Sequence, residues 1–513
     1  MIIKDIYKNR IFLAAVSGIL FGIASNYVLI FPAVIALVPL FIAVQNVKPG
    51  QSFLTGLLAG IPFGLISCNW MVSLVRSYTG TETDTGIILT AISAVFLGIQ
   101  LGAFCIVYVW INKIIVFPKY KIINAVITGS SIWIILEWLR FKMIPGIPWL
   151  VFCFAHTQSR LGYLIQLSSI TGPWGTSFIV AAINILIAFA IMNRKIKYFI
   201  IAAALFSANF IYGYILVKMY EPPAYGSGVK AVIISENLSA KTRWEKQTSD
   251  SLAAIFIRLN SRAAQLNPGL IVWSETAVPW AFSLKDDLLN IALSKIKNTK
   301  ATSLIGILTE AAQPGFVYNS VYSIRHDGRI LARYDKNQLL TLLEEPLSGF
   351  GNIILPFFHN VGFKDILPGK STKPIYTTVG KAGVLICNET SIPFNARETS
   401  EEGAEFLVNM SNDAWFEHTV LVDWHFYAAR MRAVENRKDI VINSNRGISA
   451  IVNSMGEILV EKQSKSPDVL SGIIYPNIST SIYTRFGDWL IYFNLILLIS
   501  ALIYFKRFKK IVE

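Results

Sequence analysis

The chain is 513 residues long, 53% hydrophobic and only 15% charged, with a mean hydropathy of +0.51. That composition argues against a purely soluble enzyme and leaves room for a membrane part joined to a full globular domain. The net charge of +14 would suit a nucleic-acid binder, but many lysines and arginines stand between apolar runs, where they orient membrane helices. The sequence has no zinc-type cysteine spacing, no phosphate-binding glycine loop and no long basic tail.

Apolar segments at 11–28, 30–47, 53–75, 86–112, 122–139, 172–192, 198–217 and 487–505 predict eight membrane spans. The first is an anchor rather than a signal peptide, because further spans follow it. Lys4, Lys8 and Arg10, then Lys48, Lys113, Lys119 and Lys121, Arg194, Lys195 and Lys197, and finally Lys506, Arg507, Lys509 and Lys510 fall on one side of such a bundle. This bias predicts that both termini are cytoplasmic and that residues 218–485 lie outside the cytoplasm. The organisation expected is a seven-span bundle over 1–217, a globular domain over 218–485, and a last helix with a basic tail over 486–513. Glu137 ends the fifth span, where a carboxylate is a functional hypothesis by default; a local ion pair with Arg140 accounts for it equally well. Segment 143–175, rich in Pro and Gly, reads as a connection along the membrane with a short helix at 158–170.

From Val229 the pattern changes. Strands are predicted at 229–236, 268–274, 302–309, 317–325, 328–335, 380–387, 406–411, 439–444, 448–453 and 470–475, and helices at 248–265, 284–297, 395–404 and 421–437. Leu270-Ile271-Val272-Trp273 is apolar throughout, as in a sheet buried on both faces. Hairpins are expected at Arg325-His326-Asp327-Gly328 and Asn453-Ser454-Met455-Gly456. The domain is a mixed α/β sandwich.

Three predicted strands end in a reactive group: one at Glu275, one at Lys336 and one at Cys387. Cys387 is the only cysteine of the polar half, so it has no disulfide partner in its domain. A lone thiol of this kind is either a small buried hydrophobe or a nucleophile. If the three strands are neighbours, a carboxylate, an ammonium and a thiol meet in one pocket. Glu275 then takes the thiol proton, and Lys336 with the backbone N–H after the cysteine stabilises an oxyanion. Singly, a strand-end Glu or Lys is usually just solvated or ion-paired. His418 and His425, seven apart, suit surface or capping roles better than a metal.

The order glutamate, lysine, cysteine on an α/β domain resembles the nitrilase (carbon–nitrogen hydrolase) superfamily, and the bundle before it with one span after it resembles the apolipoprotein N-acyltransferase family. The resemblance covers essentially the whole chain. It is carried by Glu137-Trp138-Leu139-Arg140, Gly146-Ile147-Pro148-Trp149, Thr242-Arg243-Trp244, Trp273-Ser274-Glu275-Thr276, Tyr334-Asp335-Lys336, Cys387-Asn388-Glu389, Ser411-Asn412-Asp413-Ala414-Trp415-Phe416, Ala429-Arg430-Met431-Arg432-Ala433-Val434-Glu435 and Arg485-Phe486-Gly487-Asp488-Trp489. It implies an αββα sandwich outside the cytoplasm of a multi-pass protein of the bacterial inner membrane. It also implies transfer of an acyl chain from a membrane phospholipid, through a Cys387 thioester, to the α-amine of a diacylglyceryl-cysteine on an apolipoprotein. Glu275 would be the base and Lys336 the oxyanion partner. Glu344 and Glu389 match further site carboxylates, although Glu345 is an alternative to the first and a structural role in orienting Lys336 is an alternative for the second. Trp244 matches a substrate-binding tryptophan or is a packed aromatic; Trp415 lines the pocket mouth or packs. No metal, cofactor or nucleic acid is expected, and the protein is expected to act as a monomer.

The sequence also departs from the family pattern. Asn388 stands for the usual tyrosine, Thr341-Leu342-Leu343 for a proline-phenylalanine-glycine, Ser274 for a proline, Glu417 for a glycine, and Arg446 for an asparagine. These departures bear on the pocket wall. The apolar stretch 339–367 reads as a lid touching lipid, or as a loop packed on its own domain. Two other readings use the same sequence: a membrane-tethered amidase with water as acceptor, and a binding protein on an inactivated nitrilase fold.

Overall fold

The computed structural model describes residues 9–74, 83–115, 120–221, 228–242, 244–245, 248–341, 344–345 and 365–512. The chain forms two units, one of residues 1–145, 149–219 and 486–513, the other of residues 146–148 and 220–485.

The first unit is helical: α1 (Arg10–Asn26), α2 (Ile30–Ile35), α3 (Val38–Ala43), α4 (Pro49–Ser67), α5 (Thr83–Ile114), α6 (Lys121–Met143), α7 (Pro173–Asn193) and α8 (Ile196–Lys218), with a closing helix Trp489–Val512. Among the described residues, six helices are long and apolar enough to cross a membrane, rather than the eight expected. The first predicted span is a shorter helix of 17 residues. The second breaks into α2 and α3, each of 6 residues. Pro39 opens α3, where its missing N–H does no harm, but it could not have continued α2. Asn184 of α7 serves the break: its side chain accepts from Leu37 N at 2.8 Å and donates to Ala33 O at 3.0 Å. Buried backbone groups freed inside an apolar bundle need such partners. The predicted span 53–75 stops at Ser67. The helix expected at 158–170 is instead two single turns, Gly162–Ile165 and Ser168–Thr171. Glu137 accepts from the Trp133 indole at 2.7 Å and from Phe154 N at 2.9 Å, while Arg140 donates to Gln100 and to the Phe152 carbonyl.

The second unit is built on two sheets. Its strands are β1 (Val229–Ser235), β2 (Leu270–Val272), β3 (Val278–Ala281), β4 (Thr302–Glu310), β5 (Phe316–Arg325), β6 (Ile330–Asp335), β7 (Asp365–Ile366), β8 (Ile375–Thr377), β9 (Gly380–Ile386), β10 (Phe406–Asn412), β11 (Ile440–Asn445), β12 (Ser449–Val452), β13 (Ile458–Lys462) and β14 (Asp468–Ile474). One sheet runs β14-β1-β2-β4-β5-β6, with β3 on β4 and β7 on β5; the other runs β13-β12-β11-β10-β9-β8. Helices α9 (Ser249–Gln265) and α10 (Asp287–Ser294) cover the first sheet, and α11 (Pro393–Glu401) and α12 (Leu421–Asn436) cover the second.

Period-two alternation sorts the core. Ala231 and Ile233 face the layer between the sheets, together with Val384 and Val408, while Val232 and Ile234 face α9. The result is an αββα sandwich. Both expected hairpins form: β5 to β6 through Gly328, whose φ of +86° suits glycine, and β12 to β13 through Gly456. The strands β3, β7, β8 and β13 were not predicted; all but β13 have four residues or fewer. Positions 342–343 and 346–364 of the predicted lid lie outside the described residues.

One carboxylate ties several helices of the first unit. Asp488, just before the closing helix, accepts from the Trp138 indole at 2.8 Å and from the Trp174 indole at 2.8 Å. Asp488→Ala leaves two indole N–H groups without this acceptor, at about 1–3 kcal/mol each. Thermal unfolding in detergent should show a clear loss of stability, with partial recovery in Asp488→Asn.

Candidate active site

Glu275 follows β2 on a backbone that leaves the strand sharply. Trp273 N still donates to Leu304 O at 2.9 Å, but Thr276 has a φ of +47°. Gly306 of β4 makes room for this turn, since a Cβ there would lie 2.9 Å from Glu275 Cα and closer still to the Ser274 carbonyl. Lys336 follows β6, and its N–H donates to Asn319 O on β5 at 2.8 Å. Cys387 ends β9 with a φ of +53°, a strained left-handed conformation at a strand-to-helix turn.

The three strands are not neighbours in one sheet. In the first sheet β4 and β5 separate β2 from β6, and β9 belongs to the second sheet. Because β2 and β4 are parallel and β4, β5 and β6 alternate, β2 and β6 point the same way, so their C-terminal ends lie at one edge. Asn319 of β5 fills the gap. Its amide donates to Glu275 at 2.9 Å and reaches Glu344 at 3.5 Å.

Lys336 is the centre of the cluster. Its Nζ lies 2.9 Å from Glu344 Oε1 and 2.8 Å from Oε2, and 3.7 Å from Glu275 Oε1. Glu344 Oε2 also accepts from Leu340 N at 2.8 Å. Glu345 instead accepts from the Thr341 hydroxyl at 2.8 Å, so Glu344 is the carboxylate at the lysine. The second oxygen of Glu275 accepts from Asn412 N at 3.0 Å.

Burial sets the protonation preferences. It pushes the Cys387 thiol up, and the charge of Glu275 adds to this more than Lys336 subtracts. Burial also holds Glu275 above the usual carboxylate range, against the pull of Lys336. For Lys336, burial alone would lower the pKa, but the negative charges of Glu344 and Glu275 hold it raised. Burial thus favours the neutral thiol of Cys387 beside the charged lysine, and it strengthens Glu275 as a proton acceptor.

Glu389 does not bond the Lys336 ammonium. It accepts from Ile386 N at 2.7 Å, Asn337 N at 2.7 Å, Gln338 N at 3.0 Å and the Tyr334 hydroxyl at 2.9 Å. It thus fastens the cysteine turn to the chain just after the lysine. The Asn388 amide adds a link to Gln338 O at 3.1 Å. Trp244 packs edge to face on Trp280, centroids 4.9 Å apart, and beside Phe256, against the helix-covered side of the first sheet. Trp415 lies in the turn Asp413–Trp415 that follows β10.

Sequence reasoning missed the roles of Asn319 and of the Asn412 backbone, and it read His425 as a surface or capping residue, whereas the ring is buried with Nδ1 2.9 Å from Asp413 Oδ1. It also missed Glu236, which accepts from Ser274 N at 3.3 Å and is pushed up to about 7 by burial. The available signal was a polar residue at the apolar end of a strand, as in Asn412 closing β10.

Residues 238–481 match the family described as carbon-nitrogen hydrolase, and residues 17–186 match the apolipoprotein N-acyltransferase N-terminal domain. The chain is 27% identical over 506 residues to the apolipoprotein N-acyltransferase of Geobacter metallireducens, spanning 94% of this chain and 93% of that one. It is 24% identical over 465 residues to that of Vibrio parahaemolyticus, with 88% of each covered. It is also 24% identical over 443 residues to that of Shewanella oneidensis, with 84% of this chain and 83% of that one covered. The two-sheet unit is a nitrilase-like fold, joined to apolar helices of a length that can span a membrane.

Two measurements follow from the geometry. Alkylation of Cys387 by iodoacetamide should slow on the acid side with a midpoint above the roughly 4.3 of an exposed glutamate, because Glu275 must be ionised to accept the thiol proton and its pKa is raised. Glu275→Gln should abolish that acid limb. Glu389→Gln places a donor against backbone donors and should lower stability by about 1–3 kcal/mol, with alkylation losing its dependence on Glu275 as the two loops separate.

Proposed function

We propose the following course of reaction for this chain, which belongs to the apolipoprotein N-acyltransferase family. The enzyme is an N-acyltransferase of lipoprotein maturation. Cys387 attacks an acyl ester of a membrane phospholipid, and Glu275 takes the thiol proton. The ammonium of Lys336, held by Glu344, stabilises the developing oxyanion, joined by the N–H of Asn388. Collapse breaks the ester C–O bond. Glu275 returns the proton to the leaving glycerol oxygen, and a lysophospholipid departs from a Cys387 thioester. The α-amine of the diacylglyceryl-cysteine of an apolipoprotein then attacks the thioester. Glu275 takes an amine proton and passes it to the departing Cys387 sulfur, leaving an amide.

The observation that carries this reading is the 3.7 Å approach of Lys336 to Glu275 beside the strained Cys387. Glu344 and Glu389 are positioning residues, the first for the lysine and the second for both loops. Trp244 and Trp415, which follow β1 and β10 in the chain, are assigned to the walls of the substrate path. Residues 1–217 are read as the membrane bundle, 218–485 as the catalytic domain and 486–513 as the last anchor. The setting inferred is the bacterial inner membrane, with both termini cytoplasmic and the catalytic domain periplasmic. One chain supplies the whole triad, which suits a monomer.

Mass spectrometry of the purified protein with phospholipid tests the reading. A hydroxylamine-sensitive acyl group on Cys387 is expected, stable in water and discharged by a lipopeptide with a free α-amine. It should be absent in Cys387→Ala. An adduct that hydrolyses at once without amine would favour a hydrolase instead.

A further inference from the structure

One buried pair near the triad takes no part in the proton transfers. Asp413 opens the turn that follows β10, His425 lies on α12, and both are buried. His425 Nδ1 lies 2.9 Å from Asp413 Oδ1. The Phe416 ring stands edge to face on the imidazole, centroids 5.7 Å apart, and Phe416 N donates to Asp413 O at 2.8 Å. Gly447 leaves space for the other carboxylate oxygen, since a Cβ there would lie 2.4 Å from Asp413 Oδ2. Asp413 is thus confined by three segments of the chain. The residue before it, Asn412, gives its N–H to Glu275 Oε2 at 3.0 Å. The pair therefore fixes the peptide that holds the catalytic base.

Charge sets the rest. A buried carboxylate without a cation is costly, and the site already holds Glu275 and Glu344 against Lys336. Asp413 adds to the charges that raise the Cys387 thiol, after burial and Glu275. For His425, burial alone would lower the imidazole pKa, but Asp413 in contact, joined by Glu275, holds it raised against Lys336. The other charges around α12 are accounted for differently. The turn Cys387–Ser391, α11, β11 and β12 pack on this helix. The turn brings Cys387 and Glu389, the latter bound to backbone N–H groups. Helix α11 brings Arg397, Glu398 and Glu401, with Arg397 paired to Glu401, and β11 and β12 have no charged residue. On α12 itself stand Asp423, Arg430, Arg432 and Glu435; Arg432 donates to Glu435 and Arg430 to the Gly456 carbonyl. His425 is the cation at contact distance of Asp413.

We propose that Asp413 and His425 are positioning residues for the base and the nucleophile: Asp413 anchors the Asn412 peptide against Glu275, and His425, as a cation, cancels the charge of Asp413 in the field of Glu275 and Cys387. This rests on the roles given to Glu275 and Cys387 above and adds the pair behind them. Neither residue exchanges a proton with the substrate. The carboxylate supplies a fixed acceptor, and the imidazolium removes its electrostatic cost to the triad. The stabilisation from the pair is complete below about pH 6.5, the ordinary imidazole value, and is lost as pH rises through the raised value of His425. Above that point Asp413 is uncancelled and Glu275 is harder to ionise.

Alkylation of Cys387 by iodoacetamide against pH, in the full-length protein, reads the field at the triad without any lipid. His425→Gln keeps a side-chain donor for Asp413 but carries no charge. Its acid limb should move up by about one pH unit, the scale of one uncancelled charge at an effective dielectric of about 20, so that alkylation on the acid side slows about tenfold. Asp413→Asn combined with His425→Gln removes both charges and should return the limb to its wild-type position. A pair that serves only as a hydrogen bond gives the opposite order, with the single variant near wild type and the double variant no better. In the wild type, hydrogen–deuterium exchange at C2 of His425, read by peptide mass spectrometry, should have a midpoint above roughly 6.5. A midpoint at or below that value, an unmoved limb in His425→Gln, or a limb that stays displaced in the double variant would overturn the proposal. If only the double variant survives purification, the proposal is supported, because charge is what separates the two proteins. Wild-type protein that forms no Cys387 adduct with any phospholipid would overturn the acyl-transfer reading, while the alkylation profiles still decide the role of the pair.

Discussion

Lys336 lies between two carboxylates in a place almost closed to water, with Glu344 gripping it through both oxygens and Glu275 a little further off. Removing three charges from water costs several kcal/mol for each ion, and mutual attraction repays it only where the remaining lone pairs are also satisfied. The surroundings meet that condition in detail. Leu340 N serves Glu344, while Asn319 and Asn412 N serve Glu275. These donors come from β5, from the loop after β6 and from the end of β10. The cluster therefore forms only when both sheets are closed on each other, which makes the αββα packing a precondition of the chemistry rather than a container for it.

The same charge count shapes the reaction. Two carboxylates against one ammonium leave an excess negative charge, and this works with burial to keep Cys387 neutral at rest. A thiolate in such a pocket would be costly, so in the proposed reaction the sulfur would lose its proton to Glu275 as it bonds to carbon, with the developing charge on the acyl oxygen placed near Lys336. A resting thiol of this kind also discourages side reactions before a lipid is bound.

How far these features were readable depends on whether they reside in one strand or between several. Glu275 and Cys387 each close an apolar run and Lys336 closes the second strand of a hairpin, so their positions were visible in the sequence, as were the long strands β1, β4, β5, β9 and β10 and both hairpins. Asn319 was not, because its role depends on β4 and β5 lying between β2 and β6, a fact of topology that no local pattern holds. The choice between Glu344 and Glu345 was likewise decided by which carboxylate reaches Nζ. Strands such as β7 and β8, of two and three residues, carry too few positions for period two to show. In the helical unit, apolar content alone marked 30–47 as one span. The break between α2 and α3 depends on Pro39 together with Asn184, a residue more than a hundred positions away.

The tolerance of the site to sequence change follows from what Glu389 holds. Three of its four donors are backbone N–H groups, which every residue other than proline supplies. The cysteine turn and the loop after Lys336 are thus joined through atoms that a side-chain substitution leaves in place. Asn388 can stand where a tyrosine is usual and merely add its own link to Gln338. Thr341 and its neighbours can differ while Glu344 still reaches the lysine through a turn closed by its own N–H on Leu340 O. The triad and its fasteners are held by main chain and buried charge, so a change of side chain at a neighbouring position leaves those bonds in place.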